Sequence, residues 1–151
     1  MLIDLDPLLT PDLLWVLAAM GHGDDLAFVD SNFPAETIAR RTTSGRLIRL
    51  PAMSMARAAR AIFSVLPIDT FVPDPVRRIE VVGKPDEVLP IHAEVLAELT
   101  ARVPDATFGR IERFAFYDTA ARGFAVVQVG DPRAYGCFMI KKGVIFGEPE
   151  R

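Results

Sequence analysis

Three short runs constrain this chain most: Leu26-Ala27-Phe28-Val29, Phe124 to Val129, and Tyr135 to Ile140. Each is almost wholly apolar, and Gly, Asp or Pro stands close by. Runs of this length read as buried strands, and a strand without a polar face needs cover on both sides. The cover is legible around them. Thr10-Pro11-Asp12 is a helix start, with a capping hydroxyl, Pro in the first turn and an acid near the positive dipole end. Leu13, Leu14, Val16, Leu17 and Met20 follow at helical spacing, and Gly21 is placed to end the helix. Pro34 to Thr37 opens a short helix. Ser54 to Leu66 is an Ala-rich helix stopped by Pro67, and Asp86 to Val103 holds another, with His92 inside it. Ile111, Phe114, Ala115 and Asp118 are spaced as a helix ended by Gly123. Arg46 to Leu50, Val76 to Val82 and Val144-Ile145-Phe146 complete the strands.

This alternation predicts an α/β fold: one domain over residues 1–151, with a central mixed sheet flanked by helices. The Gly130-Asp131-Pro132 turn predicts an antiparallel end to the sheet. Seventeen basic residues against twenty acidic ones leave a net charge of −3, the wrong sign for nonspecific nucleic-acid binding. Cys137 is the only cysteine, so no intrachain disulfide forms. Two histidines and one cysteine are too few for a four-ligand structural zinc site. The N-terminus lacks the positive region of a signal peptide, and Leu13 to Met20 is too short to span a bilayer. The expectation is a soluble cytoplasmic protein with no membrane and no nucleic-acid partner.

No G-x-G-x-x-G, Walker loop or G-x-S-x-G is present. What remains is "GHGDDLAFVDSNFP", residues 21–34. His22 lies between two glycines that leave its ring uncrowded, and an imidazole can give or take a proton near neutrality. The same spacing fits a helix cap with His22 at the negative dipole end. Asp30-Ser31-Asn32 leaves the C-terminal end of a strand, where open α/β sheets bind ligands, and it equally fits a simple Asx turn. Arg113 and Tyr117, four apart, share a helix face, an arrangement that is usually only solvated. Tyr135-Gly136 starts a strand, where glycine permits close approach to a ligand or marks a bulge. His92 reads as surface or core filler.

Together, "PLLTPDLLWVLAAMGHGDDLAFVDSNFPA", "LPIDTFV", "RIERFAFYDTAARGFAVVQVGD" and "AYGCFMIKKGV" resemble the L-fucose mutarotase / D-ribose pyranase family over almost the full chain. The M-G-H-G-D block and the Y-G-x-x-x-x-K-K-G-V block are specific jointly. The resemblance implies a cofactor-free sugar enzyme whose α/β subunits form a decameric ring in bacterial members, with the site near a subunit interface. The family's catalytic histidine falls on His22, as proton donor, and its sugar-binding aspartate on Asp30. The site tyrosine falls on Tyr135, followed by Gly136, and Asp69 matches a further acidic, sugar-binding position. Arg113 stands where fucose-type members have arginine and pyranase-type members have histidine. Cys137 departs from the family's usual asparagine, and a thiol is a poor hydrogen-bond partner beside a carboxamide.

Mutarotation opens a cyclic hemiacetal and recloses it on the other face, so the same groups serve as acid and base in turn. The expected activity is interconversion of the α and β anomers of L-fucose or a related aldose. His22 would act as acid/base, and Asp30, Arg113 and Tyr135 would hold the sugar. Tyr135, a bound water or a neighbouring subunit's group would complete the acid/base pair. D-ribose pyranase activity, a catalytically weak monosaccharide-binding module and a structural ring subunit are the alternatives.

Overall fold

The computed structural model describes residues 1–147; residues 148–151 of the expected 1–151 domain lie outside the described residues. Among the described residues, six strands form one sheet: β1 (Asp25–Val29), β2 (Leu47–Leu50), β3 (Val76–Ile79), β4 (Phe108–Ile111), β5 (Ala125–Val129) and β6 (Cys137–Lys141). Five helices among these residues cover it: α1 (Pro11–Ala19), α2 (Ala35–Ala39), α3 (Met55–Phe63), α4 (Pro90–Arg102) and α5 (Arg113–Ala121). The strand order is β2-β5-β1-β6-β3-β4. The sheet is mixed, as expected, but the antiparallel strand is not at its end. β6 lies inside it, antiparallel to both β1 and β3. The reason is reach: residues 130–136 span two inter-strand spacings, about 10 Å, so the chain leaving β5 passes over the end of β1 before turning down.

Alternation along the strands sorts the core. Leu26, Phe28, Val127, Phe138 and Ile140 face α1, α3 and α4. Ala27, Val29, Val126, Cys137 and Met139 face α2 and α5. The near-continuous apolar runs that opened the reading are therefore strands buried on both faces. Capping places the helix starts. Thr10 accepts from the Leu13 N–H and Ser54 from the Arg57 N–H.

Several boundaries differ from expectation. Ile111 belongs to a strand, β4, because the Glu112 carboxylate accepts the Phe114 and Ala115 N–H groups and starts α5 only at Arg113. β3 stops at Ile79, short of Val82. α3 ends at Phe63, before Pro67 can stop it. Gly21 does not end α1: Met20 does, in extended conformation, and the left-handed residue is Gly23. Val144-Ile145-Phe146 forms no strand, and Ile145 and Phe146 stand exposed.

Candidate active site

Segments leaving the C-terminal ends of β1 and β4 meet the loop that enters β6 along one edge of the sheet. Asp30 follows β1 directly and is 2% exposed. Its Oδ1 accepts the Asn32 N–H at 2.8 Å, so the Asx turn is present. Its Oδ2 accepts the Gly136 N–H at 2.8 Å, with Cys137 Sγ at 3.7 Å. Burial raises the pKa of this carboxyl above the usual carboxylate value, outweighing the hydrogen bonds from Asn32, Gly136 and Cys137 that favour its charged form. Asp30 thus does more than the sequence suggests: it ties the exit of β1 to the entry of β6.

Around it opens a cleft of about 280 Å³, lined by Asp30, Asn32, Phe33, Ile79, Arg113, Tyr117, Ala134, Tyr135 and Cys137. Arg113 and Tyr117 present one face of α5 to it, so the pair that sequence spacing left as a solvated face lines a site. The Tyr117 phenol is the leading influence raising the Arg113 pKa. The Phe33 ring stacks on Tyr117 with centroids 5.5 Å apart. Tyr135 is not in a strand; it takes a left-handed backbone, φ +64°, two residues before β6 begins at Cys137. Gly136 packs too closely for a side chain: a Cβ there would lie 2.6 Å from Ile91 Cδ1 and 3.1 Å from Asp30 Cβ.

His22 and Asp69 are elsewhere. They lie at the opposite edge of the sheet, where Gly23 and Asp69 donate backbone N–H groups to Lys142 and Lys141 at the end of β6. The length of β1 alone, about 13 Å from first to last Cα, separates that edge from the cleft. His22 Nε2 sits 3.2 Å from Asp69 Oδ1, which also accepts the Phe71 N–H at 3.0 Å. Burial opposes the charge on Asp69, but the Phe71 amide and His22 outweigh it and lower its pKa. Asp69 is 3% exposed, whereas the His22 side chain is 43% exposed. Its geometry is that of a group orienting an imidazole. The Phe71 ring flanks His22 at 5.2 Å. Lys142 Nζ donates to the Leu17 and Met20 carbonyls, capping the C-terminal end of α1 and setting the chain that carries His22.

Within the chain, then, Asp30, Arg113, Tyr135 and Cys137 line one cleft, with Gly136 behind it, while His22 and Asp69 form a second, separate cluster. Asn32, Phe33, Ile79, Tyr117, Ala134 and Phe71 were not named as site residues from sequence; the i, i+4 spacing of Arg113 and Tyr117 and the Asp30-Ser31-Asn32 cluster at a strand exit signalled two of them. Among the described residues, no group of three or more His, Cys, Asp and Glu side chains is placed to hold a metal ion. Nor is any helix among them long and apolar enough to cross a membrane.

The pattern of the RbsD / FucU transport protein family matches residues 3–145. The chain belongs to this family. It is 35% identical to the human fucose mutarotase over 145 residues, covering 94% of this chain and 93% of that protein. A crystal structure of a protein thought to bind sugar superposes with a TM-score of 0.93 at 46% identity, covering 96% of this chain and 97% of that one. The fucose mutarotase of Streptococcus pneumoniae, solved in complex with L-fucose, superposes with a TM-score of 0.82 at 25% identity, covering 96% of this chain and 100% of that one. The RbsD / FucU assignment agrees with the resemblance carried by the M-G-H-G-D and Y-G-x-x-x-x-K-K-G-V blocks.

Proposed function

We propose that this chain is an L-fucose mutarotase, interconverting the α and β anomers by acid/base catalysis within a single sugar mutarotase-like domain, residues 1–151. The observation that carries the reading is the cleft at the C-terminal sheet edge. It is small, at the lower end for ligand pockets, and joins a guanidinium, two phenols and a phenylalanine ring stacked on one of them. Those groups suit a monosaccharide: Arg113 donates in a fork to vicinal hydroxyls, and Tyr117 and Tyr135 offer phenols beside the ring. The relatives named for fucose mutarotase and for an L-fucose complex support the choice of sugar.

His22 is the acid/base group in this reading. With Asp69 accepting at Nε2, the favoured tautomer carries its proton there and leaves Nδ1 to exchange a proton with substrate. Asp69 moves from sugar binding to orienting the imidazole. Because His22 faces the other edge of the sheet, a second subunit must bring its His22 edge against this cleft. The exposed Phe71, Ile145 and Phe146 near His22 are apolar surface suited to that contact. The reading has the enzyme working as a homo-oligomeric ring, a decamer, in the cytoplasm. The single buried thiol is in keeping with a reducing compartment.

Saturation-transfer NMR on L-fucose, with D-ribose as the comparison sugar, tests it. The parent protein accelerates exchange between fucose anomers, and His22→Ala lowers that rate by about 10²- to 10⁴-fold. Equal exchange in His22→Ala would show that the proton is moved by another group. Faster pyranose–furanose exchange of ribose than anomer exchange of fucose would favour the pyranase alternative.

A further inference from the structure

His92 lies in the first turn of α4 with no exposed surface. Its Nδ1 accepts the Leu89 N–H at 3.1 Å, which leaves the ring proton on Nε2. Nε2 stands 2.8 Å from the Tyr135 carbonyl oxygen. That carbonyl and the Gly136 N–H belong to one peptide unit, and the Gly136 N–H donates to Asp30 Oδ2 at 2.8 Å. One peptide plane is therefore gripped at both edges, by a donor from α4 and an acceptor from the end of β1. The grip has a purpose visible in the backbone. Tyr135 holds a left-handed φ that non-glycine residues seldom adopt, and the glycine after it would let the peptide turn over at little cost. The two hydrogen bonds select one orientation. The same helix holds the loop a second time, through the paired Glu94–Arg133 hydrogen bonds at 2.8 and 2.9 Å.

We propose that His92 is a positioning residue for the sugar cleft: by clamping the Tyr135–Gly136 peptide against Asp30, it sets where Tyr135 and Asp30 meet the sugar. The sequence reading of His92 as filler is thereby replaced, and the proposal rests on the mutarotase reading. His92 touches neither the cleft nor the reacting atoms, so its effect falls on binding.

Two substitutions separate this role from simple packing. His92→Phe keeps a ring beside Phe138, whose centroid is 5.9 Å away, but removes both nitrogen contacts. His92→Gln keeps both: glutamine at this third helical position reaches back to the N-cap N–H, and its amide can donate to the Tyr135 carbonyl. In anomer exchange of L-fucose, His92→Phe raises KM about tenfold, some 1.4 kcal/mol, while kcat and its pH profile change less. His92→Gln recovers most of the loss. If His92→Phe does not fold, the ring ¹⁵N shifts of the parent and the fucose KM of His92→Gln still decide. A proton found on Nδ1 overturns the clamp. So does an active parent whose His92→Phe variant keeps its KM, and neither result touches the functional reading. A parent that exchanges no fucose anomers overturns both.

Discussion

Gly136→Ala isolates the closest packing in the cleft wall. The φ of Gly136 lies outside the left-handed region, so alanine meets no backbone penalty and the whole cost is steric. The new methyl would sit 2.6 Å from Ile91 Cδ1 and 3.1 Å from Asp30 Cβ. The first is the end of a flexible side chain, but both Ile91 and Asp30 are almost fully buried and have little room to retreat. Overpacking of this kind costs about 1–3 kcal/mol. For a chain of this size that lowers the melting temperature by roughly 2–4 °C per kcal/mol. Ile91→Val removes the clashing Cδ1 and alone costs about 0.5–1.5 kcal/mol. In the double variant the two losses partly cancel, giving a favourable coupling of about 1 kcal/mol. Urea midpoints at fixed protein concentration measure the four corners of the cycle, and fucose exchange reports the cleft. Additive losses with no coupling would refute the packing argument. So would a Gly136→Ala protein as stable and as active as its parent.

Mixing His22→Ala with Arg113→Ala subunits tests the composite site: neither alone is active, and random co-assembly restores about a quarter of the parental exchange rate, since one junction in four pairs two intact halves. No recovery in mixed assemblies would overturn the composite site. Burial, reinforced by Arg78 and opposed by the Tyr135 contact, depresses the His92 pKa below its ordinary value. The unfolded chain therefore binds more protons below about pH 6.5, so stability is full above that pH and falls as pH drops through the window toward the folded value. Urea midpoints across that window should decline in the parent and less in His92→Gln. Cys137→Asn supplies an amide donor beside Asp30 Oδ2 in place of a weak thiol, and titration with L-fucose should show binding tightened up to about tenfold; weaker binding would mean that the thiol is fitted to the sugar.

Strand identity and helix phase were legible because burial leaves a local mark. The run from Leu26 to Val29 must be covered on both faces wherever it goes, and Thr10 caps α1 with an atom three residues from its partner. The motif residues were legible too, since the spacing that carries His22, Asp30 and Tyr135 is a property of the string. Strand order was not. The turn after Gly130 reads as a hairpin until β1 is seen between β5 and β6. β4 was hidden because Phe108-Gly109-Arg110-Ile111 is half-buried, with weak alternation, and exists by pairing with β3.

His22 and Asp30 are eight residues apart in sequence and at opposite edges of the sheet, because an extended strand converts sequence proximity into distance. Asp30 and Gly136, more than a hundred residues apart, share a hydrogen bond because β1 and β6 are neighbours. The sequence by itself determined which titratable and polar groups the chain carries and which segments must be buried. Only the tertiary structure decided which of those groups meet, since contacts between distant segments follow from strand order and loop reach, and neither is written in any local window. That is why His92, an ordinary residue on an ordinary helix in the sequence, became the donor that holds the Tyr135–Gly136 peptide in place.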